Sequence, residues 1–374
     1  MTGERKEKYR LCVIGFAHMH VNELVDRFLA TGRVELIACA DTMPRTASRT
    51  RVEGSRHANL HRALAKPGEP RAYDDYRVLL REERLDLAIF CPEISRHAEV
   101  AEAIAAHGLQ MVTEKPLAGQ LADARRMVRA AKEAGVRLAV NWPTTWRPPI
   151  RKVKELLDAQ AIGAAWEVKW RNRPSLGPLA FGSLHPGRTV VSGEVSESDK
   201  AAEWWYQAEE GGGALLDYCC YGAWLASWYL GAHAVSVQSL TANLFSNFGN
   251  VEDNAALLLR YPTAIALVEA SWTTLHNGVP NGPIIYGTDG TIVVDGDKVM
   301  VYNTREPSPA HVLTGDALPA GRSSIAEEFL HHIETEEPLH PTVDIPLNLA
   351  TVAVLDAGLR SAASGRAETV DHAG

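Results

Sequence analysis

The sequence predicts an α/β protein in two parts: a doubly wound parallel sheet, then an α/β unit built on a large, mostly antiparallel open sheet. Three observations lead there. Gly32, Gly108 and Gly135 each follow a helical pattern and precede an apolar run, "RVELIACAD", "LQMVTEKP" and "VRLAVNW". This is the rhythm of glycine-capped helices leading into buried parallel strands. The rhythm stops at "WRPPI", Trp146 to Ile150. Beyond it β-rich runs succeed one another with turn signals between them, as hairpins do. The 374 residues suffice for about two domains. The expected division is 8–145 and 146–364.

The elements follow in order. The first strand ends in "CVIGFAHMH", Cys12 to His20. Val21, Leu24, Val25, Phe28 and Leu29 then share one helical face. The strand after Gly32 ends at Asp41, and "LDLAIFCP" (Leu85 to Pro92) is another buried strand, followed by a helix to His107. A helix from about Pro149 to Ala159 leads out of the first part. From Trp166 strands dominate. "NAALLLRY" and "TAIALVEASW" form a hairpin, and "GPIIYGTDGTIVVDGDKVMVYN" holds turns at T-D-G and D-G-D. Residues 173–210, rich in Gly, Pro, Ser and charge, read as a loop that is functional, disordered or an interface. Helical patterns at 322–335 and 346–363 close the chain, and the last is expected to reach back to the first domain.

Composition narrows the function. An apolar fraction of 46% and a charged fraction of 22% are those of a globular chain. The net charge of −8 speaks against nucleic acid and anionic membranes as partners. No apolar run approaches the ~18 residues of a membrane span, and the charged start "MTGERKEKYR" does not read as a signal peptide. Cys12, Cys39, Cys91, Cys219 and Cys220 are odd in number and form no C-x-x-C. Reduced thiols and a cytoplasmic location are expected.

The first loop places Gly15, Ala17 and His20 where a dinucleotide-binding turn puts its three glycines. Alanine adds one methyl; histidine requires a different helix position. The loop still follows a strand and opens a helix, and Asp41 lies 26 positions after Gly15, suited to ribose hydroxyls. Gly15, Phe16, Ala17, His18, Met19 and Asp41 are therefore candidates for a dinucleotide. Asp41 favours NAD by repelling a 2′-phosphate, whereas Arg45 could hold one and keeps NADP as the alternative. A metal needs three or four ligands, and no other His or Cys stands near His18 and His20 in sequence. No metal is expected; His18 should reach the ligand and His20 should pack at the helix start.

"VTEKPLA" (Val112 to Ala118) puts Glu114 and Lys115 at the carboxyl edge of the sheet, where open parallel sheets bind ligands. A lysine there can hold a substrate hydroxyl with a lowered pKa; a surface ion pair is the plainer alternative. Three glycines then precede a helix in "GGGALLDYCCYGAWLASWYLG", Gly211 to Gly231. Asp217 and Tyr221 stand four apart on it, and Trp224 and Trp228 continue the stripe as core.

With Glu114-Lys115-Pro116, "FCPEISRH" and the glycine triplet, the chain from Arg10 to about Ala363 resembles the Gfo/Idh/MocA oxidoreductases. The resemblance implies a Rossmann domain that binds NAD or NADP, with Pro92, His97 and Glu114 on the cofactor side. It implies a second domain for substrate and for assembly as a homodimer or homotetramer. Two departures stand out: the missing loop glycines, and D-Y-C-C-Y where the family often has D-x-G-x-H. Tyr221 replaces the histidine, similar to the glucose–fructose oxidoreductase and dihydrodiol dehydrogenase branches. Lys115, Asp217 and Tyr221 are then the catalytic candidates, with Lys115 as the cation a phenol of pKa ~10 needs to act as a base. Asn141, Trp142 and Trp205 are the substrate-binding candidates, aromatic faces being suited to sugar rings, although the tryptophans could equally fill the domain interface. The implied activity is hydride transfer between nicotinamide and a secondary alcohol or ketone of a sugar, inositol or related cyclic polyol. An NAD-dependent non-redox glycosidase and a silent cofactor- or sugar-binding protein are the alternatives.

Overall fold

The structure, a computed structural model, describes residues 7–181 and 195–372; residues 182–194 of the expected long loop lie outside them. The first part runs β1 Tyr9–Phe16, α1 Val21–Ala30, β2 Val34–Ala40, α2 Arg56–Leu64, β3 Arg71–Tyr73, α3 Tyr76–Glu82, β4 Leu87–Cys91, α4 His97–Ala106, β5 Gln110–Glu114, α5 Leu121–Ala134 and β6 Leu138–Asn141. The six strands are parallel in the order β3-β2-β1-β4-β5-β6. All five residues of β4 are buried, because helices cover both faces of a parallel sheet. The strand order reverses between β1 and β4, which opens the ligand crevice of such sheets. There β1 approaches the turn after β4 so closely that a Cβ on Gly15, at φ +82°, would lie 2.5 Å from Pro92 N. Only glycine fits.

Segment 42–84 carries α2, β3 and α3, which no sequence pattern announced. The buried face of α2 is Arg56, Asn59 and Ala63, so its inward stripe is largely polar. It is held by capping and by ion pairs rather than by an apolar seam.

The second part runs α6 Pro148–Asp158, β7 Ala165–Arg171, α7 Glu197–Ala201, α8 Cys220–Leu230, β8 Ser236–Ala242, β9 Asn254–Arg260, β10 Ile265–Ser271, β11 Ile284–Gly287, β12 Thr291–Asp295, β13 Lys298–Tyr302, β14 His311–Thr314, α9 Ile325–Thr335, α10 Ile345–Ser364 and β15 Glu368–Thr369. Its nine strands order as β14-β13-β12-β11-β7-β10-β9-β8-β15, antiparallel except where β7 lies parallel to β10. The hairpin alternation is strict. Ala266, Val268 and Ala270 of β10 point inward beside Leu259, Leu257 and Ala255 of β9. That inner face packs on α8 and α10.

The chain then returns to the first core. α9 packs on α1, with Phe28 and Phe329 ring centroids 6.5 Å apart. Val140 N in β6 donates to Val343 O at 3.1 Å, covering the sheet edge. The expectation had only 346–363 reaching back; 325–343 does so as well.

Candidate functional site

The crevice edge is built from chain turns. Asp41 follows the last residue of β2, and its Oδ1 accepts from Phe16 N (2.9 Å) and Thr42 N (2.8 Å). Arg56 Nε donates to Asp41 Oδ2 at 2.6 Å, and the same buried guanidinium pairs with Glu93. The cation beside Asp41 is thus Arg56; Arg45 instead gives its backbone N–H to Glu210 Oε1 at 3.0 Å. Sequence offered no signal for Arg56, which α2 delivers from 15 positions away.

Ala17 and His18 N–H both donate to Cys91 O (3.0 and 3.3 Å), tying the first loop to β4. His97 Nδ1 lies 3.0 Å from Leu117 O, and burial lowers its pKa. Pro92 is also buried, so both support the turn after β4. Across the same edge lies Glu203–Gly211. Buried Glu203 accepts from Ser48 Oγ (2.8 Å) and Thr50 Oγ1 (2.5 Å), Trp204 Nε1 donates to Ala17 O (2.9 Å), and Glu210 Oε2 accepts from Ser95 Oγ (2.7 Å). A dinucleotide fits here through the Gly15 turn at the strand-order switch, the positive end of α1 and the Asp41 carboxylate.

Deeper in, Lys115 leaves β5 and Asp217 arrives on a π-helical turn, Leu215–Cys219, just before α8. Lys115 Nζ donates to Asp217 Oδ1 (2.9 Å) and to Asp217 O (2.8 Å), and Trp272 Nε1 donates to Oδ2 (3.0 Å). Lys115 is 3% and Asp217 8% exposed. Burial works to lower the lysine pKa, but the Asp217 carboxylate outweighs it and holds the ammonium well above its ordinary value. The expected lowering does not occur.

Tyr221 sits beside this pair. Lys115 Nζ lies 4.8 Å from its ring centroid, over the ring face and not at the hydroxyl. Burial pushes the phenol far above its usual range, and the opposing pull of Lys115 does not reverse it. The expectation of a lysine-activated phenolate is corrected to a protonated phenol. Its ring stacks on Trp170 (5.8 Å, 16°) and meets the edge of Trp142 (5.2 Å, 80°). It faces a cavity of about 670 Å³ that His20, Tyr218, Arg147 and Arg173 also line.

The other candidates take structural places. Asn141 is buried and donates from Nδ2 to Glu114 Oε1. Trp142 is fully buried, bonds Asn348 Oδ1 through Nε1 (2.6 Å) and stacks on Trp224 (4.5 Å, 8°). Trp205 is 3% exposed, stacked on Trp204 and 5.0 Å from His18. None of the three lines the 670 Å³ cavity. Packing claims them because each lies where two elements meet, a circumstance that residue type alone does not show.

The two histidines exchange their expected places. His18 is 3% exposed beneath the tryptophans, while His20 opens into the cavity with a side chain 33% exposed. Met19 is partly buried beside them. Glu114, remote in sequence, completes a cluster: ligand atoms of His18, His20 and Glu114 lie within 4.8 Å of one another. A carboxylate brought in by β5 gives no sign of itself in the spacing of His and Cys along the chain.

All five cysteines are free and buried. Among the described residues no helix is long and apolar enough to cross a membrane.

Comparison with known proteins places this geometry. Residues 10–142 match the model of an oxidoreductase family with an NAD-binding Rossmann fold, and residues 150–293 match the GFO/IDH/MocA C-terminal domain. A D-apiose dehydrogenase of Paraburkholderia graminis is 38% identical over 315 residues, 80% of this chain and 76% of that protein. A trans-1,2-dihydrobenzene-1,2-diol dehydrogenase of Mus musculus is 24% identical over 252 residues, 66% of this chain and 67% of that one. The fold matches a WlbA dehydrogenase from Chromobacterium violaceum, crystallised with NADH and UDP-GlcNAcA, at a TM-score of 0.78 and 20% identity, covering 100% of this chain and 99% of that one.

Proposed function

We infer that this chain, which belongs to the Gfo/Idh/MocA oxidoreductase family, is an NAD-dependent dehydrogenase of a secondary alcohol on a sugar, inositol or related cyclic polyol. The observation that carries this reading is the Lys115–Asp217 pair with Tyr221 at the wall of the cavity beside the NAD-binding edge. When bound, the nicotinamide supplies a two-electron hydride acceptor or donor. The protein orients the alcohol. The ammonium of Lys115, fixed by Asp217, provides positive charge where a substrate oxygen gains negative character. The Tyr221 phenol, held protonated, donates a hydrogen bond to that oxygen.

The cavity is rich in cations. Arg147, Arg171 and Arg173 line it with the carboxylate of Asp295; Arg147 pairs with Asp297 and Arg171 with Glu269, which leaves Arg173 without a carboxylate partner among the described residues. This supports a polyol that carries a carboxylate or another anionic group. The chain is read as a cytoplasmic protein, since its thiols are buried and unpaired. It is also read as a homodimer or homotetramer, through the outer face of the second sheet.

Stopped-flow measurement of NADH formation with a matched panel of neutral and acidic sugars and inositols tests this function. Stoichiometric NADH with at least one polyol is expected. Glycoside cleavage without net NADH would replace this reading with the non-redox glycosidase. Binding without any turnover would replace it with a sensor. Tyr221→Phe keeps the ring and should lower turnover by ~10² to 10³, the usual worth of one hydrogen-bond donor to a developing oxyanion.

A further inference from the structure

Three polar atoms in the site have no hydrogen-bond partner although all are buried: His18 Nε2, His20 Nδ1 and Glu114 Oε2. One ligand atom of each residue lies within 4.8 Å of the others, and His20 Nδ1 stands 3.6 Å from Glu114 Oε2. Glu114 is 0% exposed, and its other oxygen is taken by Asn141 Nδ2. A buried carboxylate oxygen left bare is costly, so something must face it. A metal ion is one answer, and the hydrogen bonding argues against it. His20 N–H donates to His18 Nδ1 at 3.2 Å. That nitrogen is therefore the acceptor of the ring, and in neutral His18 the proton sits on Nε2. A protonated Nε2 has no lone pair for a metal.

The same bond points to a consistent assignment. With His20 Nδ1 carrying hydrogen, its N–H faces Glu114 Oε2, and the His18 Nε2–H is a second donor in the same cluster. The 3.6 Å from His20 Nδ1 to Glu114 Oε2 is short of a hydrogen bond by a small ring rotation. Such bonds are often long in the empty site and tighten with substrate. The consequence lies at the other end of the ring. A His20 protonated on Nδ1 presents the Nε2 lone pair on its exposed side, toward the cavity shared with Tyr221. The other titratable groups lining that cavity are the phenols Tyr218 and Tyr221, the guanidiniums Arg147, Arg171 and Arg173, and the carboxylate of Asp295 on β12. The phenols, the guanidiniums and the Lys115 ammonium do not take up a proton, and near neutrality an imidazole is a better-matched base than a carboxylate. Alcohol oxidation needs a base, and the three side chains first assigned to catalysis do not supply one in this geometry.

We propose that His20 is the general base of the reaction, oriented by Glu114 as a carboxylate–imidazole dyad, with His18 as a second positioning residue. This rests on the dehydrogenase reading. As the alcohol C–H bond delivers its two electrons as hydride to nicotinamide, the O–H proton moves to His20 Nε2, leaving ketone, NADH and imidazolium. Reduction runs the same path backward.

Two measurements test it. Long-range 1H–15N spectra of histidine-labelled protein, assigned with His18→Gln and His20→Gln, report the tautomers without any substrate. His20 protonated at Nδ1 and bare at Nε2 is expected; the reverse tautomer in the parent overturns the dyad, as does stoichiometric zinc binding that His20→Gln abolishes. Kinetics on a polyol that the stopped-flow panel shows to be turned over give the second. His20→Gln should lower kcat by ~10² to 10⁴ while NAD affinity changes less than about threefold. The acidic limb of the kcat/KM profile should vanish in His20→Gln and persist in Tyr221→Phe. Glu114→Gln, which acts through His20, should lower kcat by about tenfold with little change in KM. Near-parent turnover in His20→Gln overturns the proposal and leaves the dehydrogenase reading standing. Failure of every polyol sinks that reading, and the tautomer then still decides the dyad.

Discussion

Asp217 is a side chain whose meaning depends on its neighbours. From sequence it could satisfy a helix start or serve the reaction; folded, it is the counter-ion of a buried lysine. Removing one member of such a pair leaves an uncompensated buried charge, a loss of about 3–5 kcal/mol. Lys115→Met should therefore lower the urea midpoint strongly as well as the turnover. The double variant Lys115→Met/Asp217→Asn should regain much of the stability and none of the activity, since Asn still accepts from Trp272. Because the folded pKa of Lys115 is raised, the pair contributes fully below the unfolded lysine pKa of ~10.4 and fails only as pH climbs through the folded value. Equal midpoints for parent and single variant would show that the ion pair is not buried in solution. Asp41 illustrates the same dependence. Its carboxylate is shared with Arg56, so Asp41→Ala should remove the repulsion and free a guanidinium for a 2′-phosphate. NAD should bind tighter than NADP in the parent, and the variant should close or invert that gap in a direct titration. Unchanged selectivity in Asp41→Ala would count against the assignment. Asp41 and Lys115 stand at the sheet edge where their strand ends put them. Those misplaced, His18, His20 and Trp142, are residues whose role depends on which side of a loop faces the interior.

The helices and strands with a clean period were legible, because burial on one face imposes 3.6 or 2 on the apolar residues. The π-helical turn at 215–219 was not, since its cause is tertiary. The turn lets Asp217 O leave the helix ladder and accept from Lys115. Segment 42–84 was silent because α2 buries an arginine and an asparagine. The glycines around the catalytic turn show what packing demands there. A Cβ on Gly222 would lie 2.3 Å from Val268 Cγ1, where α8 crosses β10. Gly222→Ala should cost about 1–3 kcal/mol, the usual penalty of overpacking, and should reduce turnover by tilting the helix that carries Tyr221. Thermal denaturation with parallel kinetics checks both. A variant as stable as the parent would mean that α8 and β10 can separate without loss.

At the scale of the molecule the open question is what covers the second sheet. Its inner face is buried under helices, but its outer face exposes Leu240 (75%), Leu258 (49%) and Ile265 (38%), with Leu267 directly opposite Leu258 in the β9–β10 register. The sequence announced this in "TAIALVEASW", whose alternation leaves one apolar set outside whichever set faces the core. Antiparallel sheets tolerate one wet face when it is polar; a cluster of leucines across three adjacent strands marks a contact surface. Arg260 and Glu269 project from the same face, so a two-fold related copy can satisfy charge as well as bury leucine, the self-complementary arrangement that closed oligomers use. A dimer or tetramer at micromolar concentration is therefore expected in light scattering. Leu258→Glu places a charge opposite Leu267 at the centre of the patch and should shift the protein toward monomer while leaving NAD binding intact, because the dinucleotide edge belongs to the other sheet. A parent that runs as a monomer across the concentration range would refute the assignment, and a Leu258→Glu protein that keeps its full mass would move the interface to another face.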